Sequence, residues 1–283
     1  MAVSEALSLG ALTLADVASG LALSSGAGWN QTADDWSLFI GAGAAFGVRD
    51  EGGALIATAA ALPYDATTGW ISMVLVDAAH RHRGIASQLV DACIASLRDA
   101  ARTPVLDATP AGAAVYAKIG FVAGFAFDRW EGDAAPTHAI AAGERAVPAA
   151  PTQVETLIAL DRSAGGVDRS LLLRSFIARS DTRAWLAAGG DGFAVRRAGR
   201  RAAHVGPIVA TRDDDALGLL ATAIDRAAGR VFIDVPAHRT SIADALVRRG
   251  FVRQRSFVRM ALGNVGAAAA RDRIFALAGP EFG

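Results

Sequence analysis

The sequence predicts an α+β fold laid down twice in tandem, and three observations predict it. Strand-like and helix-like segments follow one another in the first half in an order that suits one mixed sheet flanked by helices. Gly120-Phe121-Val122, Phe127 and Arg129 recur as Gly250-Phe251-Val252, Phe257 and Arg259, a repeat at an offset of 130 residues. The chain has 283 residues and is 52% hydrophobic, enough for about two buried cores.

In the first copy the pattern predicts a strand over 7–13, helices over 14–24 and 33–40, and strands over 45–48, 54–62 and 69–76. A helix over 84–100 follows, because Ile85, Leu89, Ala92, Cys93 and Ser96 form an apolar stripe while Gln88, Asp91, Arg98 and Asp99 face water. A strand over 104–108, a helix over 112–118 and a strand over 121–130 complete it. The second copy runs through segments 154–160, 169–178, 192–197, 202–210, 216–228, 231–235, 242–249 and 251–262. Leu106-Asp107 corresponds to Ile233-Asp234. An Ala-rich helical tail is expected over 266–282, and the Ala- and Pro-rich stretch 139–151 reads as the join between domains 1–138 and 151–283.

Composition narrows the function. Net charge is zero, yet residues 1–150 hold 8 basic against 15 acidic side chains and residues 151–283 hold 20 against 13, so the halves carry −7 and +7. Opposite signs favour docking of the halves and would draw an acidic substrate to the second. Nucleic-acid binding is not expected, because Arg196-Arg197, Arg200-Arg201 and Arg248-Arg249 lack interleaved aromatics. The first 24 residues lack a basic leader and carry Glu5 and Asp16, so a cytoplasmic protein without a membrane span is expected. The lone cysteine, Cys93, is a packing residue, and no Cys/His cluster has metal-ligand spacing.

The most informative stretch runs from the apolar strand Ile71-Ser72-Met73-Val74-Leu75-Val76 through Arg81-His82-Arg83-Gly84-Ile85-Ala86 into a helix. Such a turn presents unpaired amides and the positive helix end to an anion, which suits a pyrophosphate. Arg81 and Arg83 add charge. A helix start that merely holds Gly and Arg is the plainer alternative. In the second copy Arg81, Gly84 and Ala86 become Thr211, Asp214 and Ala216, and Tyr116 becomes Leu246. Asp213-Asp214-Asp215 would repel a pyrophosphate and reads as a helix cap and first turn, so one cofactor site is expected.

Arg81, Gly84 and Ala86 together resemble motif A of the GCN5-related N-acetyltransferases, Gln/Arg-x-x-Gly-x-Gly/Ala. The run from Thr109 to Phe121, with Tyr116 before Gly120-Phe121, resembles motif B. The tandem layout with a degenerate second copy is similar to a subgroup of that family, and the resemblance covers nearly the whole chain. It implies two mixed, mostly antiparallel sheets flanked by helices and acetyl-CoA as co-substrate. Pantetheine would lie on the backbone of Val74, Leu75 and Val76, and pyrophosphate on the amides of His82, Arg83, Gly84, Ile85, Ala86 and Ser87. Where this chain has Thr109, family members commonly have Asn.

The resemblance makes Tyr116 the proton donor to the departing thiolate; read alone, Tyr116 is a packing residue. No general base is assignable, since Ser72 is the polar group of the central strand and Asp107 at a strand end suits a structural bond. His80 and His82 flank the turn as solvated groups. Trp29, Gln31 and Trp36, on a connection between two helices, are expected to contact the acceptor, and a small tryptophan core with Asn30 as helix cap is the alternative. His204-Val205-Gly206-Pro207 reads as a cleft lining or a strand end. The expected activity is acetylation of the primary amine of a small molecule, with a non-catalytic acyl-CoA sensor as the alternative and longer acyl groups and a homodimer left open.

Overall fold

The computed structural model describes residues 8–134, 146–264, 266 and 272–283. Residue 7 and residues 139–145 of the expected join lie outside them. The chain divides into two compact units, Met1–Pro104 and Val105–Gly283.

The first unit contains β1 (Leu9–Ala11), α1 (Val17–Gly26), α2 (Ala33–Ala42), β2 (Ala44–Arg49), β3 (Leu55–Pro63), β4 (Thr68–Val76) and α3 (Ile85–Asp99). β1 to β4 form an antiparallel ladder in chain order. α3 packs across β2, β3 and β4 and buries Ile85, Leu89, Val90, Cys93, Ile94 and Leu97; of the expected stripe Ile85, Leu89 and Cys93 are buried, while Ala92 and Ser96 are half-buried at its edge. Each buried side chain contributes about 1.5–3 kcal/mol of transfer free energy, which fixes the helix against the sheet. Burial pushes the Cys93 thiol up to about 12, so it packs and does not react.

The second unit begins within β5 (Thr103–Ala108) and continues with α4 (Pro110–Lys118), β6 (Val122–Asp133), β7 (Ala146–Pro148), α5 (Val154–Gly165), α6 (Ser170–Ile177), β8 (Arg183–Ala187) and β9 (Phe193–Arg197). β10 (Ala203–Val209), α7 (Asp213–Asp225), β11 (Arg230–Pro236), α8 (Thr240–Arg248), β12 (Val252–Ala261) and β13 (Ile274–Ala276) complete it. The strands run in the order β5-β12-β6-β11-β10-β9-β8-β7. β10 and β11 are parallel and the other pairs antiparallel, so this sheet is mixed.

The copies exchange their last strands: β12 lies between β5 and β6, and β6 between β12 and β11. At the crossing, the repeat-related Phe127 and Phe257 are register partners with rings stacked 5.1 Å apart. Buried ion pairs flank them, Arg129 with Asp234 and Arg259 with Asp107, each through two hydrogen bonds of 2.7–2.9 Å.

The C-terminal segment departs from the expected helix. β13 pairs antiparallel with β10, and Leu277 bridges to Asp234 of β11. The ladder between β10 and β11 covers only Ala203–Val205 against Val231–Ile233, and the tail enters where those strands part. Arg197, 1% exposed, donates to Ala278 O and Glu281 Oε1 and is flanked by the rings of Phe176 and Phe282, each 5.0 Å from its guanidinium carbon. Arg169 bonds both Asp161 oxygens and the carbonyl of Gly283. The apolar run Ile274 to Leu277 gains more by burial than its alanine neighbours gain from helix propensity. Residues 267–271 of the expected helix lie outside the described residues. Among the described residues no helix is long and apolar enough to cross a membrane.

Candidate active site

The turn between β4 and α3 is shaped by two left-handed residues, His82 at φ 63° and Gly84 at φ 76°. Gly84 is required by its backbone angle, and a side chain built on it would meet no protein atom within 4 Å. The first hydrogen bond of α3 runs from Gln88 N–H to Gly84 O, so the amides of Ile85, Ala86 and Ser87 precede the helical ladder. No acidic side chain stands in that first turn. Amides and helix dipole together favour an anion there.

A cavity of about 420 Å³ opens over this turn, lined by Val74, Leu75, Val76, Arg81, His82, Gly84, Ile85, Ala86 and Ser87, together with His80. Nine of the ten cofactor-binding positions expected from sequence thus meet in one place. Arg83 is exposed and not among the lining residues. Arg81 turns its Nε to the Val76 carbonyl at 3.2 Å, which ties the turn to the strand end. His80 sits 3.3 Å from Asp77, the cap of the short helical turn Ala78–His80.

β4 reaches the cavity through a bulge that carries no sequence signal. Met73 has φ 55°, the register with β3 shifts between Thr58 and Ala60, and Thr58 Oγ1 donates to Met73 O at 2.9 Å. The bulge interrupts the ladder with β3 after Ser72, and pairing resumes at Leu75 with Thr58 and Val76 with Ala57. Ser72, just before the bulge, is 8% exposed and its hydroxyl has no hydrogen-bond partner among the described residues.

Trp36 does not act as an acceptor contact. It is 0% exposed, donates Nε1–H to Ser24 Oγ at 3.0 Å, and lies so close over Gly20 of α1 that a Cβ there would stand 2.6 Å from the ring. Its indole is the wedge between α1 and α2. Trp29 is half-buried in the turn after α1, its N–H bonded to Ser24 O. Gln31 is 6% exposed and its Oε1 has no donor among the described residues. Thr32 rather than Asn30 caps α2, in a reciprocal box with Asp35.

In the second unit Tyr116 is half-buried on α4, its ring 5.8 Å from Phe121 and against Gly112. Thr109 is the N-cap of α4, accepting from Gly112 N–H with Pro110 at the first helical position. Asp107 binds Arg259, and its side chain is fully buried; burial raises its carboxyl above the usual range despite the guanidinium. Asp213, Asp214 and Asp215 open α7 as an acidic first turn.

Both halves of the chain match models of acetyltransferase (GNAT) domains. Residues 22–121 match the model described as "Acetyltransferase (GNAT) family", and residues 157–276 match the one described as "Acetyltransferase (GNAT) domain". A Bacillus subtilis protein named Uncharacterized N-acetyltransferase YitH is 26% identical over 231 residues, 80% of each chain. A candidate acetyltransferase from Pyrococcus horikoshii superposes with a TM-score of 0.84 at 19% identity, over 100% of this chain and 98% of that one. A tandem GNAT protein from the clavulanic acid biosynthesis pathway gives 0.63 at 19% identity, over 90% and 98%.

Proposed function

Because this chain belongs to the GCN5-related N-acetyltransferase family, with two such domains in tandem, we propose that it transfers acetyl from acetyl-CoA to the primary amine of a small molecule. The observation that carries this reading is the cavity over the β4–α3 turn, where the open space at Gly84, the first-turn amides of α3 and the strand end Val74–Val76 beyond the Met73 bulge meet. When bound, acetyl-CoA supplies an activated thioester carbonyl.

The residues present fit that group. The amides of His82 to Ser87 would hold the pyrophosphate, with the α3 dipole behind them. The backbone of Val74–Val76, which lines the cavity, would hold the pantetheine arm. In this reading Tyr116 would supply the proton that the departing sulfur takes as the C–N bond forms and the C–S bond breaks, and the amine's proton would leave to water. Gln31 Oε1, a buried acceptor without a donor among the described residues, is suited to orient the amine N–H. Trp29 walls the acceptor side, and Trp36 supports that connection from within the core.

Incubation of the full chain with acetyl-CoA and a library of amines is expected to release CoA faster than the amine-free control. Tyr116→Phe should lower kcat by about 10²-fold or more with acetyl-CoA affinity retained. Tight CoA binding with no amine turned over would overturn catalysis in favour of a sensor, and failure to bind any CoA ester would overturn both.

A further inference from the structure

The second unit holds a cavity of about 490 Å³ that the transfer reaction does not use, floored by β8 and β9 and the C-terminal end of α7. Three guanidinium groups line it, those of Arg183, Arg196 and Arg226, and among the described residues no carboxylate does. Arg183 and Arg196 are direct register partners on neighbouring antiparallel strands. Like charges placed opposite each other destabilise a sheet pair unless something neutralises them.

Each of two guanidiniums is held by neutral carbonyls. Arg183 donates to Ser180 O and Thr182 O at 2.7 Å, and Arg196 donates to Ala223 O in the last turn of α7 at 3.1 Å. Arg196 also lies 5.3 Å from the centre of the Trp185 ring. Carbonyls and a ring face fix the orientation of these groups and leave their charge in place. Arg226 caps α7. Burial lowers the proton affinity of Arg196, and the charges of Arg183 and Arg226 lower it further. Asp225, beside Arg226 in sequence, is taken by Arg249. Pro148, Ile177 and Ala184 supply an apolar wall for a carbon skeleton.

We propose that this cavity binds a small organic anion bearing two or more phosphate or carboxylate groups, with Arg183, Arg196 and Arg226 as its ligands. The volume falls in the range of small-molecule sites, and paired guanidiniums match such groups in geometry as well as charge. The site lies wholly within the second unit and stands independently of the acetyl-transfer reading.

Calorimetry on the full chain at low ionic strength tests it, with pyrophosphate and citrate as probes for the phosphate and carboxylate cases. Wild type is compared with the double variant Arg183→Gln, Arg226→Gln and, separately, with Gly84→Val in the first unit. Binding of either probe that weakens at least 10-fold in the arginine variant and persists in Gly84→Val supports the site, and the tighter probe identifies the anion class. Loss in Gly84→Val alone assigns the anion to the β4–α3 turn and overturns the proposal. Equal weak binding in all three proteins also overturns it. Arg183 and Arg226 are exposed, so an unchanged melting temperature shows that the variant folds.

Discussion

Arg129 and Asp234 face each other across β6 and β11 as register partners, joined by hydrogen bonds of 2.9 and 2.7 Å, with the carboxylate wholly buried. Arg259 and Asp107 repeat the relationship across β12 and β5. In the sequence repeat Arg129 corresponds to Arg259 and Asp107 to Asp234, so each copy's arginine reaches the other copy's aspartate. The exchanged strands are thereby locked by chemistry that neither copy completes alone. Despite burial, the Asp234 charge and hydrogen bonds hold the Arg129 guanidinium above its ordinary proton affinity.

Removing one partner leaves a buried charge uncompensated. Asp234→Ala is expected to destabilise the protein by about 3–5 kcal/mol in urea unfolding. The double variant Arg129→Met, Asp234→Leu should recover part of that loss, because both charges leave together. A coupling of about 2 kcal/mol or more is expected. Additive losses would show that the pair does not act as a unit.

The fold was legible where periodicity is local. The apolar stripe of α3 and the Gly-Phe repeat mark elements that burial then fixes in place. Strand exchange was not legible, since Phe257 and Arg259 alternate in the same way whichever copy's strand lies beside them. The site divides similarly. The turn from Arg81 to Ser87 announces itself by a glycine that its φ requires, whereas the Met73 bulge puts an ordinary residue at positive φ. Trp29 and Trp36 look alike in sequence. What separates them is Gly20, which lets one indole close on α1. Alanine content suggested a helical tail, and pairing with β10 and β11 overrode it.

The tail passes so close to β10 that a Cβ on Gly206 would stand 1.9 Å from the Leu277 carbonyl, and Gly206 itself has φ 153°. Gly206→Ala is therefore expected to expel or displace residues 274–283. Limited proteolysis should then cut near the C-terminus under conditions that leave the wild-type chain intact, with a fall of several degrees in Tm. An intact tail in the variant would show that β10 yields instead.

His204 sits 1% exposed beneath the same segment, 3.3 Å from Leu277 O, and burial followed by the charges of Arg197 and Arg129 depresses its pKa to about 3 from an ordinary 6.5. The folded protein thus holds it neutral while the unfolded chain protonates it below about pH 6.5. Its contribution to stability is complete above that pH and declines as pH falls toward 3. The slope is at most about 1.4 kcal/mol per pH unit. His204→Gln keeps an N–H donor without the titration, so its stability curve should be flatter than wild type between pH 7 and pH 5. Parallel curves in that window would show that His204 does not titrate on unfolding.

The two copies should differ in cofactor capacity for a physical reason. Beside β4 the α3 turn offers free amides under open space, whereas β10 is paired by β13 and α7 begins with three aspartates. Acetyl-CoA is therefore expected to bind one per chain. Gly84→Val forces a β-branched side chain into a left-handed turn and fills the space over the amides, so affinity should drop at least 10-fold. Tm should shift by only a few degrees, because Gly84 caps the end of α3 and is not part of its buried face. Calorimetry that counts two molecules per chain, or a Gly84→Val chain that binds as tightly as wild type, would move the site away from this turn.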